Sequence, residues 1–260
     1  MASAPQPNLP LFYNDLMPLN SRDHAKYHVK GPEGLTWLVN QHAVPLTADE
    51  FIQAQRHYPI IFSAGENSVP LGLMGLNEGV NTFIEDDGKV TENVYIPAYA
   101  RRYPYMLARL TPDAQELSLC FDPTSDILGE FADGEALFES DGKPAAPVQA
   151  ALDFCQNFEE AAARTQAMME ELERKELLID GEIAITRNDE PEKPYVYRGF
   201  RMVSEEKLRE LDAETAKQWT ANGLMSLIFA HLFSMDVMRI IFARQAAQGK
   251  VPEATPQAAA

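Results

Sequence analysis

A chain of 260 residues, 45% of them hydrophobic, is long enough for one large domain or two small ones with a proper core. Its 39 acidic residues outnumber 22 basic ones, and the net charge of −17 repels a phosphate backbone, so no nucleic-acid partner is expected. Cys120 and Cys155 are too few for a disulfide framework and too far apart for a CxxC metal or redox motif, which fits a reducing compartment.

The first ten residues contain no basic residue and no apolar run of signal-peptide length, so residues 1–10 are expected to be a flexible arm and the protein cytoplasmic. From Gly34 to Lys143 the chain is punctuated by Pro and Gly, with short apolar runs at 60–62, 69–76 and 81–84 that suit strands. Asp87-Gly88 and Asp141-Gly142, each followed by Lys, mark tight turns, because glycine accepts the positive φ such turns need. Two segments echo each other: Arg56-His57-Tyr58-Pro59 and Arg102-Tyr103-Pro104, each after a short helical stretch (48–55 and 97–101). Proline disfavours the helical conformation in the residue before it, so each Tyr should end a helix. Arg56, Tyr58, Arg101, Arg102 and Tyr103 are the candidate binding residues, since Arg and Tyr are enriched where proteins meet.

Beyond Pro144 and Pro147, apolar residues at 148, 152, 155, 158, 162, 165, 169 and 172 recur in steps of three and four and predict a long amphipathic helix. Leu177 to Ile179 with Asp180-Gly181 reads as a helix end and a turn, followed by a strand at 183–185. Pro191 and Pro194 then interrupt before a returning strand near 195–203. Ser204 caps a short helix, a second runs from Asp212 through Trp219, and an apolar helix is expected over 224–247. The apolar run 224–235 is shorter than a bilayer needs and ends at Asp236, so membrane insertion is not expected. Residues 248–260 lack the apolar content to fold and are expected to be a disordered tail. The fold class is therefore α+β: a hairpin-rich first half packed against the long helix and the C-terminal apolar helix, as one compact unit over 11–247.

Chemistry-bearing motifs are sparse. His24 and His28 are four apart but lack the HExxH glutamate, and Gly72, Gly75 and Gly79 match neither the dinucleotide nor the phosphate-loop spacing. Cys155 lies on the apolar stripe, where cysteine is a small hydrophobe. No metal, no cofactor and no catalytic residue is assigned. His231, inside the apolar helix with Asp236 and Arg239 beyond it, reads first as a satisfied core histidine and second as a base, which would support the competing reading of an enzyme or enzyme subunit. A third reading is a homo-oligomer held through Met225, Met235 and Met238.

Taken in order, several segments resemble the bacterial SapC family: Phe12 to Asn20 with His24; Val44-Pro45-Leu46; Tyr58 to Phe62; Ile96-Pro97-Ala98-Tyr99-Ala100-Arg101-Arg102-Tyr103-Pro104; Leu137-Phe138 with Asp141-Gly142; and Asn222-Gly223 leading to Ile228 through Met235. The resemblance spans roughly 11–244, and Phe229 stands where many relatives carry Tyr. The family takes its name from a protein associated with surface-layer protein export, and is distinct from a peptide-transport permease of the same name. Its members look like companions of outer-membrane receptor and flavin-dependent halogenase-like genes. What the resemblance implies is a non-enzymatic accessory protein with a protein partner, linked to export or processing of surface proteins; it assigns no catalytic residue.

Overall fold

The computed structural model describes residues 9–251 apart from 112, 114, 115, 188 and 189, with side chains described at all of these but 187, 190, 191 and 193. Residues 1–8 of the expected arm and 252–260 of the expected tail lie outside the described residues. In chain order the elements are β1 (Met17–Pro18), β2 (His28–Val29), β3 (Ala43–Pro45), α1 (Phe51–Ala54), β4 (Ile60–Ser63) and β5 (Pro70–Leu73). There follow α2 (Ala98–Arg101), β6 (Tyr105–Ala108), β7 (Ser118–Phe121), β8 (Leu128–Gly129), β9 (Glu135–Ala136) and α3 (Ala146–Arg174). The remainder is β10 (Leu178–Arg187), β11 (Glu190–Val203), α4 (Glu205–Arg209), α5 (Ala213–Ala221), α6 (Leu224–Ser234) and α7 (Val237–Ala247). The protein is mixed α+β, with antiparallel sheets in its first part, a long central helix and C-terminal helices.

Contacts divide the chain into two compact units: residues up to Leu35 with Tyr99–Glu160, and Thr36–Ala98 with the chain from Ala161 onward. The first unit holds two three-stranded sheets, β1-β7-β6 and β8-β2-β9. Its core gathers Tyr105, Leu107 and Phe121 from the first sheet against Val148 and Cys155 on the apolar stripe of α3. The stripe forms because steps of three and four keep one helix face apolar, and burying that face stabilises the helix more than its own propensity does.

The second unit is built on the five-stranded antiparallel sheet β10-β11-β4-β5-β3. The later part of the α3 stripe, Met168, Met169 and Leu172, is buried within this unit. The Asp87-Gly88 and Asp141-Gly142 turns form as expected, with φ of 84° and 81° at the glycines and single antiparallel bridges Ile84↔Val90 and Phe138↔Pro144 beside them.

Four expectations are corrected. Asp180-Gly181 is no turn: β10 runs through it, and Gly181 lies opposite Phe200 on β11, where an added Cβ would come within 2.1 Å of the ring. The glycine serves close packing rather than chain reversal. Pro191 and Pro194 do not interrupt either, since β11 begins at Glu190. The expected single helix over 224–247 is two helices, because Ser234 Oγ donates to the His231 carbonyl at 2.6 Å and Met235 N–H falls back to Leu232 O at 3.2 Å. A side-chain hydroxyl that occupies a helix carbonyl competes with the next backbone bond. Leu224–Ala247 as a whole is long and apolar enough to cross a membrane by length and composition, with mean hydropathy 1.6 and 39% of its most apolar window buried. Residues 248–251, expected to be tail, are tied down: Gln248 Nε2 donates to Thr82 O at 2.9 Å, and Val251 packs against the core.

Candidate binding site around Arg102

The chain leaves α2 through Arg102 and Tyr103 into a cis Tyr103–Pro104 peptide. The Arg102 side chain points inward, and only 6% of it is exposed. Its guanidinium carbon lies 4.3 Å from the Tyr99 ring centroid, 4.4 Å from Phe158 and 5.9 Å from Tyr13. A cation held over aromatic faces is attracted by the ring quadrupole, and more so once water is removed. The nearest carboxylate, Glu159, is 3.7 Å away, and Nε is buried with no hydrogen-bond partner. Arg102 is thus held chiefly by rings.

The rings are fixed in turn by the segment preceding β1. Tyr13 OH donates to Tyr105 O at 2.7 Å, Tyr99 OH donates to Leu11 O at 3.3 Å, and Phe12 meets Tyr99 edge-on at 5.5 Å. Asn14 N–H donates at 2.8 Å to Asp122 Oδ2, a wholly buried carboxylate whose Oδ1 accepts from Thr124 N–H and Oγ1–H. Burial pushes the Tyr13 phenol well above its ordinary range, an effect Arg102 opposes. Cys155 is likewise buried, with its thiol pushed up to about 11 and so protonated and inert at neutral pH. At the rim, exposed Arg101 lies 5.3 Å from the Phe154 ring, and Leu11, whose carbonyl accepts from Tyr99 OH, is more than a third exposed.

Of the five candidate binding residues, Arg56 and Arg101 are exposed, Tyr103 is half-buried, and Tyr58 and Arg102 are buried. Tyr58 and Arg102 therefore point into the protein rather than toward a partner. Tyr58 OH donates to Tyr95 O at 3.1 Å, and its ring fills the space above Gly72, where a Cβ would stand 2.5 Å away. The two echo segments belong to different compact units.

His231 is a structural core residue, and the competing reading of it as a base falls away. It is fully buried, Val203 N–H donates to its Nε2 at 3.1 Å, and Nδ1 lies 2.7 Å from Ile60 O. Because an amide N–H can only donate, Nε2 is the acceptor and Nδ1 carries the proton. Burial lowers its pKa to about 4, so both nitrogens are committed to backbone and the ring stays neutral. Met238 is also core, and so not available to a second copy. His24 packs edge-on against Tyr27 and Phe121, while His28 Nδ1 lies 3.0 Å from Lys26 O; among the described residues no three His, Cys, Asp or Glu side chains gather as a metal site.

Two features escaped sequence reasoning. Glu50, buried, accepts from Thr47 N–H at 2.7 Å, Thr47 Oγ1 at 2.9 Å, Tyr95 OH at 3.0 Å and Ala98 N–H at 2.6 Å. The Thr47-Ala48-Asp49-Glu50 spacing is a capping box and was the available signal. The second unit also has a cleft of about 180 Å³ among His42, Ile61, Leu71, Leu73, Phe200 and Met238. It opens where β11 stays paired to β4 for two residues only, a register no local sequence pattern encodes.

These features define an α+β protein in which an arginine is caged by aromatic rings beside an exposed arginine and apolar rim. The chain belongs to the SapC family: the family model matches residues 19–240, a span that includes the 96–104 block and leaves Phe12 to Pro18 outside. No curated protein and no solved structure matches the chain.

Proposed function

We propose that this SapC protein is a cytoplasmic, non-enzymatic binding protein that engages a protein partner through the Arg101 rim, in support of export or processing of surface proteins. The observation that carries the reading is the pairing of exposed Arg101 with Phe154, backed by the caged Arg102. An exposed arginine over a half-buried aromatic side chain is a usual anchor of protein interfaces, because little conformational entropy is lost when a partner lands on a pair already held in place. The link to surface proteins rests on the association that gives the family its name.

The test is photo-cross-linking in the native host with benzoylphenylalanine in place of Phe154, and in place of Lys217 as an exposed control on the second unit. The expected result is a protein adduct at 154, absent at 217 and diminished by Arg101→Ala, with a surface or exported protein as the captured species. Equal labelling at both positions, or labelling insensitive to Arg101→Ala, overturns the proposal.

A further inference from the structure

We propose that a second copy of this chain docks on the exposed face of α6 and α7, forming a twofold dimer. Phe233 is 68% exposed, Ile240 59% and Phe229 41%, an unusual concentration of large apolar side chains in water. The Phe229 and Phe233 rings stack at 5.7 Å with an interplanar angle of 23°, so the pair presents one rigid aromatic block. In the short connection and first turn of α7, Asp236 and Arg239 are both exposed, and among the described residues neither has an ion-pair partner.

Charge selects the occupant. The chain as a whole is strongly acidic, yet Leu224–Ala247 carries one acid, Asp236, and two arginines, of which Arg244 is bonded to Glu92 at 2.6 Å. Here two copies can approach without acid facing acid. A twofold interface places residue i against j of the partner and j against i, so one unpaired anion and one unpaired cation beside an apolar block complement themselves. The net charge of −17 opposes a second copy and an anionic lipid surface alike, so the choice rests on Asp236, which a cation on a second copy would satisfy and an anionic headgroup would not.

Sedimentation velocity of the full chain over roughly two decades of concentration tests this. The expected result is a concentration-dependent dimer whose dissociation constant rises about tenfold or more with Phe233→Asp. Asp236→Arg alone weakens it, and the double reversal Asp236→Arg/Arg239→Asp restores it to within a few-fold, which a merely sticky patch would not do. Near-ultraviolet circular dichroism confirms that each exposed-site variant stays folded. A monomer at every concentration, a dimer indifferent to Phe233→Asp, or charge reversals that are not mutually compensating each overturn the proposal. So does a monomer that binds anionic phospholipid vesicles through Phe233.

Discussion

His231 holds both ends of the junction that Ile60 makes at the start of β4: its Nδ1–H bonds the Ile60 carbonyl at 2.7 Å, while its Nε2 receives the Val203 amide at 3.1 Å. Ser234, one turn on, accepts the Ile60 N–H at 2.8 Å. Ile60 and Val203 would face each other if the β4–β11 ladder continued past Phe62 and Arg201, but α6 supplies side-chain partners there instead. The buried histidine thus fastens helix to sheet where the ladder ends.

That role sets a pH dependence. With the folded pKa lowered to about 4 from an ordinary 6.5, the unfolded chain binds the extra proton between those values. Stability is therefore fully present above about pH 6.5 and lost as pH falls toward 4, by on the order of 3 kcal/mol for this residue. Urea denaturation at stepped pH should show that loss in the native protein and a shallower slope in His231→Gln. A nitrogen-correlated NMR spectrum should show the neutral, Nδ1-protonated ring at pH 5. A ring already charged at that pH would refute the assignment.

Adjacent arginines in the 96–104 block should behave oppositely. Arg102→Ala empties a cage of rings and should cost about 2–4 kcal/mol, and Lys should rescue little because a compact ammonium does not lie flat between rings. Arg101→Ala should change stability by no more than about 1 kcal/mol and weaken partner capture. Guanidinium denaturation of both variants decides the matter. Equal costs would mean that the inward and outward assignments are wrong.

How much of this could be read from the sequence depended on how local the cause was. The α3 stripe was legible because its period is a local property, and the Asp-Gly turns because their chemistry sits in two adjacent residues. The inward turn of Arg102 was not legible: its rings come from Tyr13 and Phe158 as well as from Tyr99, residues far apart in the chain. His231 was legible as a core histidine but its partners were not, since they are 28 and 171 residues away. The break at Ser234 hung on one hydroxyl rotamer. Glu50 is the instructive omission, because its capping box was local and visible, but its reach to Tyr95 and Ala98 was not.

Glu50 and its neighbour Asp49 offer a matched comparison. Asp49 pairs with Arg164 at 2.6 Å, with both side chains about half exposed, whereas the buried Glu50 carboxylate takes four hydrogen bonds. Glu50→Gln places an NH₂ group where two donors converge, a hydroxyl that can turn to accept and a backbone N–H that cannot, so that buried N–H loses its acceptor, at about 1–3 kcal/mol. Asp49→Asn should cost less than about 1 kcal/mol, because exposed ion pairs are screened by solvent. Thermal melts of the two variants measured side by side should differ clearly; coincident melts would show that the Glu50 network contributes little.

Gly181 tests whether its place is set by packing or by chain reversal. Alanine at an unstrained strand position usually stabilises by about 0.4–1 kcal/mol, through lower entropy of the unfolded chain. Here the new methyl would meet the Phe200 ring at 2.1 Å, and that buried ring belongs to a core shared with Ile61, Met238 and Phe242. Gly181→Ala should therefore destabilise by about 1–3 kcal/mol, the usual cost of overpacking. The sign alone separates the two cases. Repeating the substitution in Phe200→Leu removes the ring from the collision, and the penalty should shrink by about 1 kcal/mol or more in the double-mutant cycle. An unchanged penalty would place the cause in the backbone at Gly181 rather than in the aromatic ring across the strand pair.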